Sequence, residues 1–372
     1  MMSQHKCATS NFAPNSPLNQ TRFINGIYTA TTGSFIENES LLDHYQQAIE
    51  QLPIPSQSRE ELLKEVSYFL MGQRARYTVP NLFELQSFED RAAAFEQGAE
   101  QLLDQLTQQL HPVAAEADIC FDAIIATTTT GNIMPGLSYR LAARLSPFVH
   151  ANAMLLDLGN VGCTGSMKAL NLVKQLGSEC KQILVVAVEL PTTLINCRTA
   201  DIDVWQANCT FGDGAAALWI SSDPEQGDMA LSLADIQYQQ FADSGLDTIH
   251  WGHSSEYYTF KLMDVERFEQ VVKSFVTKAL GQVNQAYFDT PHWAIHPAGI
   301  AILSRLRRKL GMPKAALKPA IDHFERYSNM SSAGIVHILK EVAANAPVGA
   351  PINLLTMGAG FNVIHSTFCK QQ

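Results

Sequence analysis

A buried apolar run, a loop of small residues and an amphipathic helix follow one another twice along this chain, and that repetition leaves few folds open. In the first copy, FDAIIATTTTG reads as a buried strand running into a small-residue loop, and PGLSYRLAARL as a helix with Pro135 in its first turn. ANAMLLDLGN follows as a second buried strand, TGSMKALNLVKQLG as a helix closed by Gly177, and QILVVAVEL as a third strand. The second copy runs HWAIHPAG as strand, IAILSRLRRKLG as helix, NMSSAGIVHILKEVAAN as helix and INLLTMGAGFN as strand. Short loops between alternating elements predict an α/β duplication with mainly parallel sheets flanked by helices.

The flanking segments fit around these copies. Residues 1–20, rich in Asn, Ser, Pro and Gln, read as a flexible arm. A strand is expected at FINGIYTATTG, followed by mostly helix from Leu41 to Gln109, where Ser58 is a candidate cap of SREELLKEVSYFL. TFGDGAAALWIS reads as a glycine-rich turn into a buried strand, and MALSLADIQYQ as the strand that opens the second half. The division expected is 21–225 for the first half and 226–372 for the second.

Composition removes several function classes. A formal charge of -10 gives no general attraction to nucleic acid or to an anionic membrane. Seven scattered cysteines without a CxxC pair argue against both a disulfide framework and a structural zinc. No apolar run reaches the length of about 18 residues that a membrane span needs, and the first residues are polar. A cytoplasmic protein with no metal is the expectation.

Three residues could carry chemistry. Cys163, in NVGCTGSMKAL, falls where a buried strand gives way to a helix, so that the helix dipole and free N–H groups would favour its thiolate. The plainer reading is a small core residue. His296 ends the apolar run WAI, at the strand edge where open α/β sheets bind ligands, although a histidine there also serves as a structural hydrogen-bonder. Asn329, in YSNMSSAGIVHIL, reads equally as a helix cap. All three stand at strand–helix junctions of the duplicated unit, whose loops can converge on one cleft.

With these motifs in this order, the chain resembles the thiolase superfamily, specifically type III polyketide synthases of the chalcone synthase kind and their ketoacyl synthase III relatives. The resemblance runs through TTTTGNIMPGLSYRLAARL, NVGCTGSMKAL, CTFGDGAAALWI, HWAIHPAGIAILSRLRRKLG, YSNMSSAGIVHIL and MGAGF. It implies a five-layered α-β-α-β-α architecture and a Cys–His–Asn triad at Cys163, His296 and Asn329. It also implies acyl transfer to the cysteine, helped by ion pairing with His296, and then decarboxylative condensation with malonyl-CoA. No permanent cofactor is implied; coenzyme A thioesters are substrates, with acyl carrier protein as the alternative donor, in a single-condensation or ketide-joining enzyme. The family's gatekeeping phenylalanines match Phe211 and Phe260. Its homodimeric habit implies that the loop at Met134 reaches a partner's cavity.

Several positions depart from the family pattern. The segment LLKEVSYFLMGQRARY, which usually carries several basic residues for the phosphates of coenzyme A, has only Lys64, Arg74 and Arg76. Arg305, Arg307, Arg308 and Lys309 are further candidates for coenzyme A or a carrier protein. Pro191 and Leu194 stand where the family has two threonines, and Met357, Gly358, Ala359 and Gly360 replace a Gly-Phe-Gly-Pro-Gly loop. A changed pocket is expected.

Overall fold

The computed structural model describes residues 21–224, 229–240, 249–254, 258–262 and 290–371. The expected arm at 1–20 and the boundary at 225/226 lie outside the described residues. The first half opens with β1 (Phe23–Ala30), β2 (Ser34–Glu37), α1 (Asn38–Glu50), α2 (Ser56–Phe69) and β3 (Ala75–Thr78). It continues through α3 (Phe88–Glu116), β4 (Phe121–Thr128), α4 (Leu137–Leu145), β5 (Val149–Gly159), α5 (Gly165–Val173), β6 (Gln182–Glu189), α6 (Ile202–Thr210) and β7 (Gly214–Ser221). After β8 (Leu231–Gln240) and the hairpin of β9 (Ile249–His253) and β10 (Tyr258–Leu262) come β11 (Trp293–Ile295), α7 (Ile300–Leu310), α8 (Lys314–Tyr327), α9 (Ser331–Asn345), β12 (Pro351–Gly358) and β13 (Asn362–Lys370).

Nine strands form one sheet in the order β11-β12-β13-β8-β1-β7-β6-β4-β5. The expectation of mainly parallel pairing needs correction. Only β4–β5, β4–β6 and β11–β12 run parallel; the pairs made by β1, β7, β8 and β13 are antiparallel. The reason is that β12 and β13 are joined by the short turn 359–361, which only antiparallel strands allow, and that α6, although it lies between β6 and β7, does not carry the chain back to the starting edge as a parallel crossover would. Helices α5 and α9 pack against each other; α5 lies on β4 and β6, while α9 touches β6 and β7 of the first half and β11 and β12 of the second. These two helices form the shared inner layer, and their starts are where Cys163 and Asn329 are held.

Local sequence explains the elements. Helix α3 begins at a reciprocal cap: Ser87 Oγ accepts from Asp90 N at 3.0 Å, and Ser87 N donates to Asp90 Oδ2 at 2.9 Å. Phe95, Ala99, Leu102, Leu103, Leu106 and Leu110 then recur at helical spacing on its buried face. Helix α7 stops at Gly311, whose φ of 67° suits glycine. Elsewhere the punctuation was read wrongly. Helix α2 starts at Ser56 behind Pro55, with Ser58 already inside; Pro135 precedes the Gly136 cap of α4; and α5 ends at Val173, before Gly177. Helix α8 has no counterpart in the sequence reading, because Pro319 inside it reads as a breaker.

One correction is larger. The segment expected as a buried strand, ANAMLLDLGN, is the edge strand β5, with most side chains partly or fully exposed and Met154 41% exposed. Its apolar character is real, and within a single chain it is uncovered.

Candidate active site

Strand β5 delivers the chain to a tight corner. Asn160 and Gly162 take φ values of 57° and 68°, and the 3-10 turn Gly162–Thr164 leads directly into α5. Cys163 sits in that turn, buried. Glycine is needed on both sides: a Cβ on Gly162 would press to 3.0 Å from the Ala359 nitrogen, and one on Gly358 would lie 3.1 Å from the Cys163 nitrogen. Hydroxyls lock the corner. Gly162 N donates to Thr129 Oγ1 at 3.0 Å, Thr356 Oγ1 to the Cys163 carbonyl at 3.3 Å, and Thr164 Oγ1 to Asn362 Oδ1 at 2.7 Å.

His296 follows the end of β11, where its N–H donates to the Leu355 carbonyl at 2.9 Å and prolongs the pairing with β12. The ring is fully buried, and Nδ1 has no partner among the described residues. Asn329 comes from the other side, its N–H donating to Thr210 O at 3.0 Å and its carbonyl accepting from Gly212 N at 3.1 Å. Its Oδ1 accepts from Ser331 N at 2.9 Å, so the side chain does take up a free N–H at the start of α9, as a capping asparagine would. That bond also fixes the amide: Nδ2 faces His296 Nε2 at 3.4 Å. The cap and the site are one residue doing both.

Ser331 links this pair to the cysteine. It holds a φ of 48°, unusual for a residue with a Cβ, and its Oγ lies 3.7 Å from Cys163 Sγ and 3.2 Å from Glu189 Oε1. Glu189 is buried at the end of β6, accepting from Thr129 N and Thr130 Oγ1 at 3.0 Å each and from the Ser332 hydroxyl. Burial pushes its carboxyl above the usual range, against these donors. Ser331 and Glu189 were not singled out as site residues, although a charged residue closing the apolar run QILVVAV was a signal for the second.

Burial works against the expected thiolate–imidazolium pair. Burial pushes the Cys163 thiol up to about 12, with Glu189 adding to the rise, and pulls the His296 imidazole down to about 3. Among the described residues the hydrogen bond to Sγ comes from Ser331, not from His296. A thiol pushed up by burial has a measurable consequence. Since only the thiolate alkylates, iodoacetamide modification of Cys163 should climb about tenfold per pH unit from pH 6 to 9 without levelling. A plateau starting near neutrality would show a preformed ion pair.

Cys163 opens on a cavity of about 270 Å³ lined also by Thr129, Asn160, Phe211, Ile249, His250, Trp251, Phe260, Ser331 and Ala359. Phe211 and Phe260 meet there with ring centroids 4.9 Å apart, and Leu194 packs in the same apolar cluster without lining the space. Met357 is buried in the main core and Met134 is 94% exposed; neither lines this cavity. His296 and Asn329 are not among its lining residues either. A second cavity, about 540 Å³, is lined by Thr210, Ala298, Gly299, Ile300, Arg305 and the end of α2, and its Thr210 is next in sequence to Phe211 of the first.

The basic candidates separate. Arg76 is wholly buried, its Nη atoms donating to the carbonyls of Asn208, Cys209 and Phe211 and to Gln73 Oε1. It is a structural clamp, corrected from a phosphate ligand, because a side chain with no exposed surface meets no coenzyme. Arg74 is exposed but paired with Glu325. Arg305 lines the second cavity, and Arg308 is exposed on the same helix without lining it. Among the described residues there is no group of three or more His, Cys, Asp or Glu able to hold a metal ion, and no helix long and apolar enough to cross a membrane.

Comparison with known proteins gives a consistent result. Residues 156–236, which include Cys163, match 3-oxoacyl-[acyl-carrier-protein] synthase III, and residues 235–352, which include His296 and Asn329, match the C-terminal domain of chalcone and stilbene synthases. Type III polyketide synthase A of Arabidopsis thaliana is 28% identical over 215 residues, a match spanning 56% of this chain and 54% of that protein. The fold superposes on the C-terminal type III polyketide synthase domain of Steely1, a type I/III hybrid from Dictyostelium, with a TM-score of 0.80 at 19% identity, covering 95% of this chain and all of that one. It also superposes on a point mutant of CsyB, with a TM-score of 0.75 at 20% identity, covering 94% of this chain and all of that one. The chain is therefore similar to type III polyketide synthases and shares the α/β fold of their solved structures, with a middle segment similar to ketoacyl synthase III.

Proposed function

We propose that the protein extends an acyl thioester with malonyl-CoA through an acyl-enzyme on Cys163. The observation that carries this is the pairing of His296 Nε2 with the fixed Asn329 Nδ2 at 3.4 Å, joined through Ser331 to a cysteine that opens on an apolar cavity. Two nitrogens that close, one of them necessarily an N–H donor, suit an oxygen that gains negative charge between them.

The chemistry balances on these groups. As the acyl thioester arrives, His296 Nε2 takes the thiol proton, Sγ attacks the carbonyl, and coenzyme A leaves as thiolate to be protonated by solvent. A malonyl thioester then loses carbon dioxide, and its carbonyl oxygen, turning enolate, is held by the N–H groups of His296 and Asn329. The carbanion attacks the acyl carbon, the C–Sγ bond breaks, and Cys163 recovers its proton from the imidazolium. The ion pair exists only while substrate is bound, in keeping with burial that opposes charge on both groups. The second cavity, with Arg305 on its wall and Thr210 next in sequence to Phe211 of the first, offers room for the coenzyme arm.

Incubation with acyl-CoA starters and malonyl-CoA tests the reading. Release of carbon dioxide and an acyl adduct on Cys163 are expected; absence of both from coenzyme A and carrier-protein donors alike would end it. The match of residues 156–236 to the carrier-protein synthase model keeps a single condensation as the second reading, and product masses separate the two.

The cavity sets the length. It falls below the usual ligand-site range of about 300–1,000 Å³, and Trp251 occupies much of one wall, 6.5 Å centroid to centroid from Phe260. Trp251→Ala should therefore lengthen the main product by at least one acetate unit; an unchanged product spectrum would show that the indole does not limit the chain. We further propose a cytoplasmic homodimer paired along the exposed β5, with light scattering showing only monomer as the contrary result.

A further inference from the structure

Among the described residues that line the cavity, Cys163 and His250 are the two with an ionisable side chain. His250 stands on β9, between Ile249 and Trp251, in the hairpin that walls the cavity opposite the nucleophile turn. Its Nδ1 is buried and has no partner among the described residues. An apolar wall has no packing reason to hold an imidazole with a bare nitrogen. The condensation makes no use of it, because His296 and Asn329 already serve the enolate.

Charged neighbours surround this histidine without satisfying Nδ1. Lys261 is its register partner on β10 and is itself paired with Asp201, at the start of α6. Asp203, on α6, is raised by burial and by Asp201, with Lys261 and His250 pulling it back down. Cys163 is the remaining ionisable group, across the cavity.

We propose that His250 is a second catalytic residue, the acid–base group that releases a finished ketide by intramolecular ring closure after the same acyl transfer that loads the starter has moved the chain from its coenzyme A thioester back to Cys163, freeing coenzyme A. This rests on the condensing function proposed above. A chain extended twice carries a carbonyl at its fifth carbon, whose enol oxygen lies one six-membered ring away from the thioester carbon. His250 Nδ1 removes the enol O–H proton while that oxygen bonds to the thioester carbon. The C–Sγ bond breaks, and the departing sulfur takes the proton from the imidazolium. The products are a six-membered lactone and free Cys163 thiol. No other reactant is consumed. The small, mainly apolar cavity favours this route, since it folds a short chain onto itself and leaves little room for water.

The test uses purified protein with hexanoyl-CoA and malonyl-CoA, comparing wild type with His250→Gln and His250→Phe. Acylation of Cys163 and carbon dioxide release in the first seconds should stay within about threefold of wild type in both variants. Lactone formation should fall about a hundredfold or more, in the range typical of a lost general base, while Cys163 accumulates adducts heavier by whole two-carbon units. Acylation of each variant reports that it has folded. Lactone release at the wild-type rate from an acylating variant would overturn the proposal and leave the condensation standing, as would wild type releasing only free acid. A wild-type protein that never acylates Cys163 would overturn both.

Discussion

Cys163→Ala should form no acyl adduct and should lose about 10⁴-fold or more in condensation, the scale on which removal of a covalent nucleophile acts. His296→Ala and Asn329→Ala should each cost about 10²–10³-fold, because each removes one of two donors to the enolate oxygen. The losses should not add. Once Cys163 is gone there is no acyl chain for the carbanion to attack, so the double variant Cys163→Ala/His296→Ala should condense no more slowly than Cys163→Ala alone. Asn329→Asp is the finer probe. It preserves the Ser331 N–H bond at Oδ1 but replaces the Nδ2 donor by an acceptor facing His296, so it should lose activity while keeping its fold. A Cys163→Ala protein retaining a tenth of wild-type condensation would remove the covalent mechanism altogether.

Arg76→Met should lower stability by about 3–5 kcal/mol, the cost of breaking a buried charged network from one side. The guanidinium holds three carbonyls at the C-terminal end of α6 at 2.6–2.9 Å, and its charge sits near Asp213, whose carboxyl burial has pushed up to about 7. Methionine fills the volume but leaves those oxygens without donors. Because one of them belongs to Phe211, the wall of the cavity should loosen as well. The urea midpoint is the measurement, and the KM for acyl-CoA is the control. If Arg76 gripped coenzyme phosphates, KM would rise while the midpoint stayed where it was, which is the opposite pattern.

Much of this site was legible in the sequence because junction residues announce themselves. Cys163 among glycines, His296 after WAI and Asn329 before a helix are unusual choices at positions where small or capping residues suffice, and their common placement at strand–helix junctions drew them together. Arg76 misled for a general reason. A basic residue in a polar-looking segment reads as solvent-facing, and only β3, which pairs with the short β2, turns it inward beneath α6. Ser331 was hidden differently: its function depends on a left-handed backbone that a serine code does not signal. Strand β5 shows the limit of hydropathy, since an apolar run records that a surface is covered but not by which chain. His250 and Trp251 lie on a short hairpin whose residues alternate too briefly for a pattern to emerge.

The corner that holds Cys163 is closed from far along the chain. Thr356, Gly358 and Asn362 brace it, with the first and last of these hydrogen-bonded across separations of 193 and 198 residues. A ribosome that has just made α5 has therefore made a cysteine without its setting. The thiol cannot adopt its working environment until the strand ending at Gly358 has been synthesised and slotted in, so reactivity is timed to arrive last. On the proposed mechanism, a nascent chain carrying an unfinished second half takes up no acyl group on Cys163.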